Sequence, residues 1–163
     1  GELCTRGYSV MRGYWDEPGK TADAIDPAGW MHTGDLAVMG PDGYVQIVGR
    51  IKDMVIRGGE NIYPREIEEF LYTHPEIEEV QVIGVPDKVY GEQLMAWIKR
   101  KPDLASPQLV SQDDLKAFCA GKIAHYKVPH YVQFVETFPM TVTGKIRKVE
   151  MRARSIKALG LEV

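Results

Sequence analysis

Three separated groups of residues in this chain have types and spacings that could do chemistry. The first is Thr33-Gly34-Asp35. A carboxylate beside a glycine can accept two hydrogen bonds from vicinal hydroxyls, as a ribose offers. The plainer alternative is a strand-end Asp bonded to nearby backbone, a common use of Asp. The second group runs from Arg50 through Lys52, Asp53 and Arg57 to the pair Gly58-Gly59. If the strands carrying Asp35 and Arg50 pair, the two side chains meet at one edge. They would then form either part of a binding site or a surface salt bridge worth about 0–1 kcal/mol. Paired glycines permit a sharp turn, or a close approach by another molecule where a Cβ would intrude. The third group is Thr141-Val142-Thr143-Gly144-Lys145. A lysine beside glycine can reach a phosphate or carboxylate oxygen as a mobile point charge; the bland alternative is a solvated lysine. It is not a Walker loop, because the earlier glycine is missing and Ile146 replaces the Ser/Thr.

The elements that must position these groups can be read from pattern. Residues 1–9 predict a strand, and 10–29 a loop with turn chemistry at Pro18-Gly19 and Pro27-Ala28-Gly29. Residues 30–48 predict a β-hairpin about Pro41-Asp42-Gly43. The stretch GRIKDMVIRGGENIYPRE, 49–66, reads as charged link, short strand, Gly-rich turn and Pro-led helix, and marks a domain junction. A helix is expected over 64–73 with Ile67, Phe70 and Leu71 buried, then strands at 80–85 and 94–99 and a loop over 101–108. Ser111 and Asp114 fit a capping box, opening a helix with Leu115, Phe118, Cys119 and Ile123 on one side. A strand at 131–135 and a last helix with Ile146, Val149, Ala153 and Ile156 inward complete the pattern. The basic residues Arg147, Lys148, Arg152, Arg154 and Lys157 read as that helix's solvated face. The fold class expected is α+β: a small domain with a mixed or antiparallel sheet covered by helices on one side, preceded by a β-rich segment.

Composition sets the outer bounds. Hydrophobic content of 44% and charged content of 26% are those of an ordinary globular chain. A net charge of −3 argues against a duplex-binding surface. No apolar run approaches the roughly 18 residues of a spanning helix, and no signal peptide is visible. Two cysteines far apart suit a reducing compartment such as the cytoplasm.

Taken in order, GELCTRGYSVMRGYW, HTGD, GRIKDMVIRGGENIYPREIE, GVPDKVYGE, YKVP and TVTGK resemble the AMP-forming acyl-CoA synthetases, the adenylate-forming superfamily. The wording GGENIYP is most similar to fatty-acyl-CoA ligases. The resemblance implies ATP, Mg2+ and CoA as reactants and cofactors, with a fatty or other carboxylic acid as the second substrate. It implies that 1–50 ends a large N-terminal AMP-binding domain and that 51–163 is a mobile C-terminal lid. By position, Asp35 resembles the ribose ligand, Arg50 a second ribose or phosphate contact, Lys52 the hinge, and Lys145 the adenylation lysine. Gly58 and Gly59 would line the pantetheine channel. The family's basic residue before the Gly-Glu of PDxxxGE is here Tyr90, so Arg57 is the candidate substitute toward CoA phosphates; the plain alternative is a strand-flanking Arg57 in solvent. No phosphate loop or acyl pocket is present, so both are expected upstream of Gly1, with the fragment inactive alone. Two other readings stay open: an adenylation domain loading a carrier protein, and a non-catalytic interaction module on the same fold.

Overall fold

The computed structural model describes residues 1–102 and 111–161. The chain divides into two compact units, Gly1–Lys52 and Asp53–Val163. The first contains β1 (Glu2–Thr5), α1 (Pro18–Ala24), β2 (Met31–Met39) and β3 (Val45–Arg50). Its strands form one antiparallel sheet in the order β1-β2-β3. The β2–β3 turn falls at Pro41-Asp42-Gly43, where Gly43 has φ +83° and Asp42 accepts from the Tyr44 N–H. Helix α1 lies inside the stretch expected to be loop. Pro18 starts it, and Thr21 ties it back by accepting from the Tyr14 N–H and donating to the Glu17 carbonyl.

The second unit contains β4 (Val55–Arg57), β5 (Glu60–Ile62), α2 (Pro64–Leu71), β6 (Ile77–Asp87), β7 (Gly91–Arg100), α3 (Gln112–Cys119), β8 (Tyr131–Phe134) and α4 (Lys148–Leu159). The sheet order is β5-β4-β7-β6, with β8 parallel to β7 on the side away from β6. The sheet is therefore mixed. Residues 103–108 of the expected loop lie outside those described.

The run Leu94-Met95-Ala96-Trp97-Ile98 is apolar without alternation because both faces of β7 are buried. Leu94, Ala96 and Ile98 join Val80, Val82, Ile67, Leu71, Leu115 and Cys119 in one core. Met95 and Trp97 join Ile83, Val85, Phe138 and Met151 in another. Helices α2 and α3 thus cover one face and α4 the opposite one, which corrects the expectation of helices on one side. Ser111 does cap α3, its hydroxyl accepting from Asp114 N–H while the Asp114 carboxylate accepts from Ser111 N–H.

The inward face of α4 also differs from expectation. Val149 is 85% exposed, and the buried positions are Met151 and Ser155. Ser155 earns its place through a chain of bonds: Trp97 Nε1 donates to its hydroxyl (3.0 Å), which donates to the Met151 carbonyl (2.8 Å). Nor is the basic face simply solvated. Strand β6 is the outer strand, and its outward backbone groups are held by side chains. Glu68 accepts from Val82 N–H (2.8 Å), Lys148 donates to Val82 O (3.2 Å) and Glu68 (2.7 Å), and Arg152 donates to Gly84 O and Glu92 (both 2.7 Å). Unpaired edge groups would otherwise be left to solvent. No described helix is long and apolar enough to cross a membrane.

Candidate functional site

In the first unit, Asp35 and Arg50 face each other in register across β2 and β3, and Arg50 Nε donates to Asp35 Oδ1 at 2.9 Å. Asp35 N–H is itself held by Thr33 Oγ1 at 3.1 Å, so Thr33-Gly34-Asp35 has a fixed backbone. Asp35 Oδ2 has no hydrogen-bond partner among the described residues, which leaves an acceptor for an incoming hydroxyl. Arg50 is mostly exposed. Lys52 lies in a short 3-10 turn, Ile51–Asp53, where one unit gives way to the next.

In the second unit, Gly58-Gly59 are the two central residues of the β4–β5 hairpin, with φ +58° and +87° and Arg57 paired to Glu60. Two successive positive φ values are those of a type I′ turn, which favours Gly at both positions. Pattern alone gave a Gly-rich turn; the three-residue β5 after it was not foreseen. The glycines differ in surroundings: a Cβ on Gly58 would meet Tyr90 at 3.2 Å, whereas one on Gly59 would enter open space.

Arg57 stacks on the Tyr90 ring, its guanidinium carbon 4.5 Å from the centroid, and its Nε donates to Gln93 Oε1 at 2.6 Å. It is not a free strand flank. Tyr90 is set by its own loop. Asp87 Oδ1 accepts from the N–H groups of Tyr90 (2.8 Å) and Val89 (2.9 Å), and these bonds lower the Asp87 pKa. Glu92 Oε2 accepts from Ile56 N–H at 2.9 Å, fastening β4. Arg57 also lines a cleft of about 360 Å³ with Lys116, Ile123, His125, Pro129 and His130. Pattern reading missed this cleft because Arg57, on β4, is far in sequence from Lys116, His125 and His130, which it meets there.

Lys145 lies on a small hairpin rather than a loose loop. Thr141 N–H donates to Lys145 O (2.8 Å), Gly144 N–H to Thr141 O (2.9 Å), and Lys145 N–H to Thr141 Oγ1 (3.0 Å). Met140 and Ile146 bridge its base, and Gly144 has φ +79°. The Lys145 side chain is exposed, and its ammonium has no partner among the described residues. A rigid turn therefore carries a free cation.

Residues 66–145 match the AMP-binding enzyme C-terminal domain. That stretch carries the domain. Lys145 is the last residue of the matched span, while Arg57, Gly58 and Gly59 precede it and Asp35 and Arg50 lie in the other unit. Over 161 residues the chain is 57% identical to the Bacillus subtilis protein YngI, provisionally named as an acyl-CoA synthetase, covering 99% of this chain and 29% of that one. It is 50% identical to the human mitochondrial medium-chain acyl-CoA ligase ACSF2, covering 99% and 26%. Among solved structures, ATP-bound MatB from Rhodopseudomonas palustris matches at TM-score 0.85 and 35% identity, over 98% of this chain and 31% of that one. The chain thus spans under a third of the length of these relatives. Around the C-terminal domain, the neighbours are adenylate-forming enzymes.

Proposed function

We propose that this chain is the C-terminal portion of an ATP-dependent, AMP-forming fatty-acyl-CoA synthetase. In the first half-reaction a carboxylate oxygen attacks the α-phosphorus of ATP and pyrophosphate leaves. In the second, the CoA thiolate attacks the acyl carbonyl and AMP leaves. The single observation that carries the reading is Lys145: an unpaired ammonium on a braced hairpin of the AMP-binding C-terminal domain. A cation that touches both carboxylate and α-phosphate reduces their repulsion and stabilises charge as it develops, an effect commonly worth about 10²–10³ in rate. Asp35 Oδ2 fits the ribose hydroxyls, with Arg50 as its pair and second contact. Mg2+ requires several oxygen ligands, and the described residues gather no such set beside Lys145. Its ligands belong to the portion that carries the phosphate loop.

For the second half-reaction the open side of Gly59 is the slot for pantetheine, and the cleft with Arg57, Lys116, His125 and His130 suits CoA phosphates. That basic cleft favours free CoA over a carrier protein as acceptor, because a carrier presents pantetheine without the nucleotide. Lys52 is the hinge, where few residues need absorb a rotation. The activity belongs to the longer parent protein.

The test is to separate the half-reactions in that parent. Lys145→Ala slows acyl-AMP formation by about 10²–10³ and leaves thioester formation from supplied acyl-AMP largely intact. Equal loss in both contradicts the role. Gly59→Asn retains a residue that tolerates positive φ but adds bulk; it impairs the CoA step more than adenylation. Greater loss in adenylation removes the slot.

A further inference from the structure

One cluster of metal-binding side chains lies outside the residues used above. Glu2 and Cys4 stand two apart on β1, and Cys4 is opposite His32 on β2. His32 Nδ1 is 2.8 Å from Glu2 Oε2 and 3.6 Å from Cys4 Sγ, and the three donor atoms lie within 4.8 Å of one another. Tetrahedral zinc, with bonds of about 2.0–2.3 Å, places its ligand atoms about 3.3–3.8 Å apart. His32 and Cys4 already have that spacing, Glu2 and His32 would part by about 0.5 Å, and Glu2 and Cys4 stand within 4.8 Å of each other. Glu2 Oε1 is occupied by the Gly34 N–H at 3.1 Å, which leaves Oε2 turned to the cluster. On the far side of the imidazole, Asp26 Oδ2 is 3.9 Å from Nε2. At that distance the two are not hydrogen-bonded, but a small turn of the ring would give the outer carboxylate partner that a metal-bound histidine uses.

Hydrogen bonding accounts for the Glu2–His32 contact and for a weaker Cys4–His32 contact, but both converge on the single nitrogen Nδ1. Burial raises the Cys4 thiol pKa, and the Glu2 and Asp26 carboxylates raise it further. The same acidic surroundings attract a divalent cation, whose charge reverses the effect on the thiol. We propose that Glu2 Oε2, Cys4 Sγ and His32 Nδ1 bind one zinc-class divalent ion, with a fourth position open to water or a small ligand. The thiolate, imidazole and carboxylate set favours a borderline-soft metal over Mg2+ or Ca2+. Binding converts Cys4 S–H to an S–metal bond and releases its proton to solvent. Because Glu2 also holds Gly34, occupancy would tie β1 to the Thr33-Gly34-Asp35 segment.

Cobalt(II) serves as the probe. Titration of the purified chain gives a thiolate-to-cobalt charge-transfer band that saturates at one equivalent, releases protons, and is displaced by zinc. Cys4→Ser removes the band, His32→Gln weakens zinc binding at least tenfold, and Asp26→Asn weakens it by about tenfold. Cys119→Ala leaves the band in place. Absence of a band at one equivalent overturns the proposal, as does a band that survives Cys4→Ser or disappears with Cys119→Ala. Circular dichroism checks that each variant is folded; should His32→Gln unfold, the near-isosteric Cys4→Ser still decides.

Discussion

The two units hold their candidate site residues on different footings. Every buried residue among those described belongs to the second unit, whose sheet has a core on each face. None lies in Gly1–Lys52, where Tyr8, Trp15 and Tyr44 are at least 80% exposed. Three strands and a seven-residue helix leave too little surface to close a core of their own. Asp35 and Arg50 are therefore placed by strand register alone. The Gly58-Gly59 turn and Lys145 are held by packed elements, with Glu92 fastening β4 and Lys148 seating the start of α4. Apolar content by itself does not say which part of a chain stands alone; layers do.

That contrast can be broken by mutation. Leu94→Ala cuts into the core shared by β6, β7 and α2 and should cost about 2–5 kcal/mol, while Val38→Ala on the first sheet stays within about 0.5 kcal/mol. Urea unfolding of the two variants checks this; equal losses would mean that both units share one cooperative core. A second experiment uses Cys119, whose thiol is pushed by burial from 9.0 up to about 11. The folded pKa exceeds the unfolded one, so the contribution is complete below about pH 9 and fades as pH rises toward 11. That difference sets an upper bound of about 3 kcal/mol. The stability difference between the parent and Cys119→Val, followed from pH 8 to 11, should narrow by up to that amount.

Arg152→Met removes the partner of Gly84 O and Glu92, and we expect a loss of about 1–3 kcal/mol. Combined with Glu92→Gln the losses should be less than additive, and full additivity would deny the coupling. A smaller stability effect than at Arg152 is expected at Asp35→Asn, about 1 kcal/mol or less for an exposed pair. On the proposed function, the same change in the longer protein should still weaken ATP use in adenylation. A large loss of stability with unchanged nucleotide affinity would make the pair structural.

Much of this was legible in order and spacing. The β2–β3 hairpin, the Ser111 cap and the run of β7 follow from turn chemistry and apolar pattern. The facing of Asp35 and Arg50 follows from the hairpin register. What escaped did so for physical reasons. Helix α1 is short, and Pro18-Gly19 reads as a turn. Strand β5 has three residues, too few for a period. Strand β6 continues through Pro86, which an outer strand tolerates because one of its N–H rows has no strand partner. The α4 seam was misjudged because it joins the sheet through Lys148, Arg152 and Ser155, whose task is hydrogen bonding. The cleft around Arg57 depends on tertiary approach, which no local pattern records.

The side-chain caps along β6 carry one more consequence. While α2 and α4 stay docked, the Val82 N–H and the Val82 and Gly84 carbonyls along that strand are already taken, which hinders a second molecule from laying a strand there. Loosen α4, by truncation or by losing Lys148 and Arg152 together, and that border becomes adhesive. Such a damaged protein should be lost to self-association before its remaining fold melts.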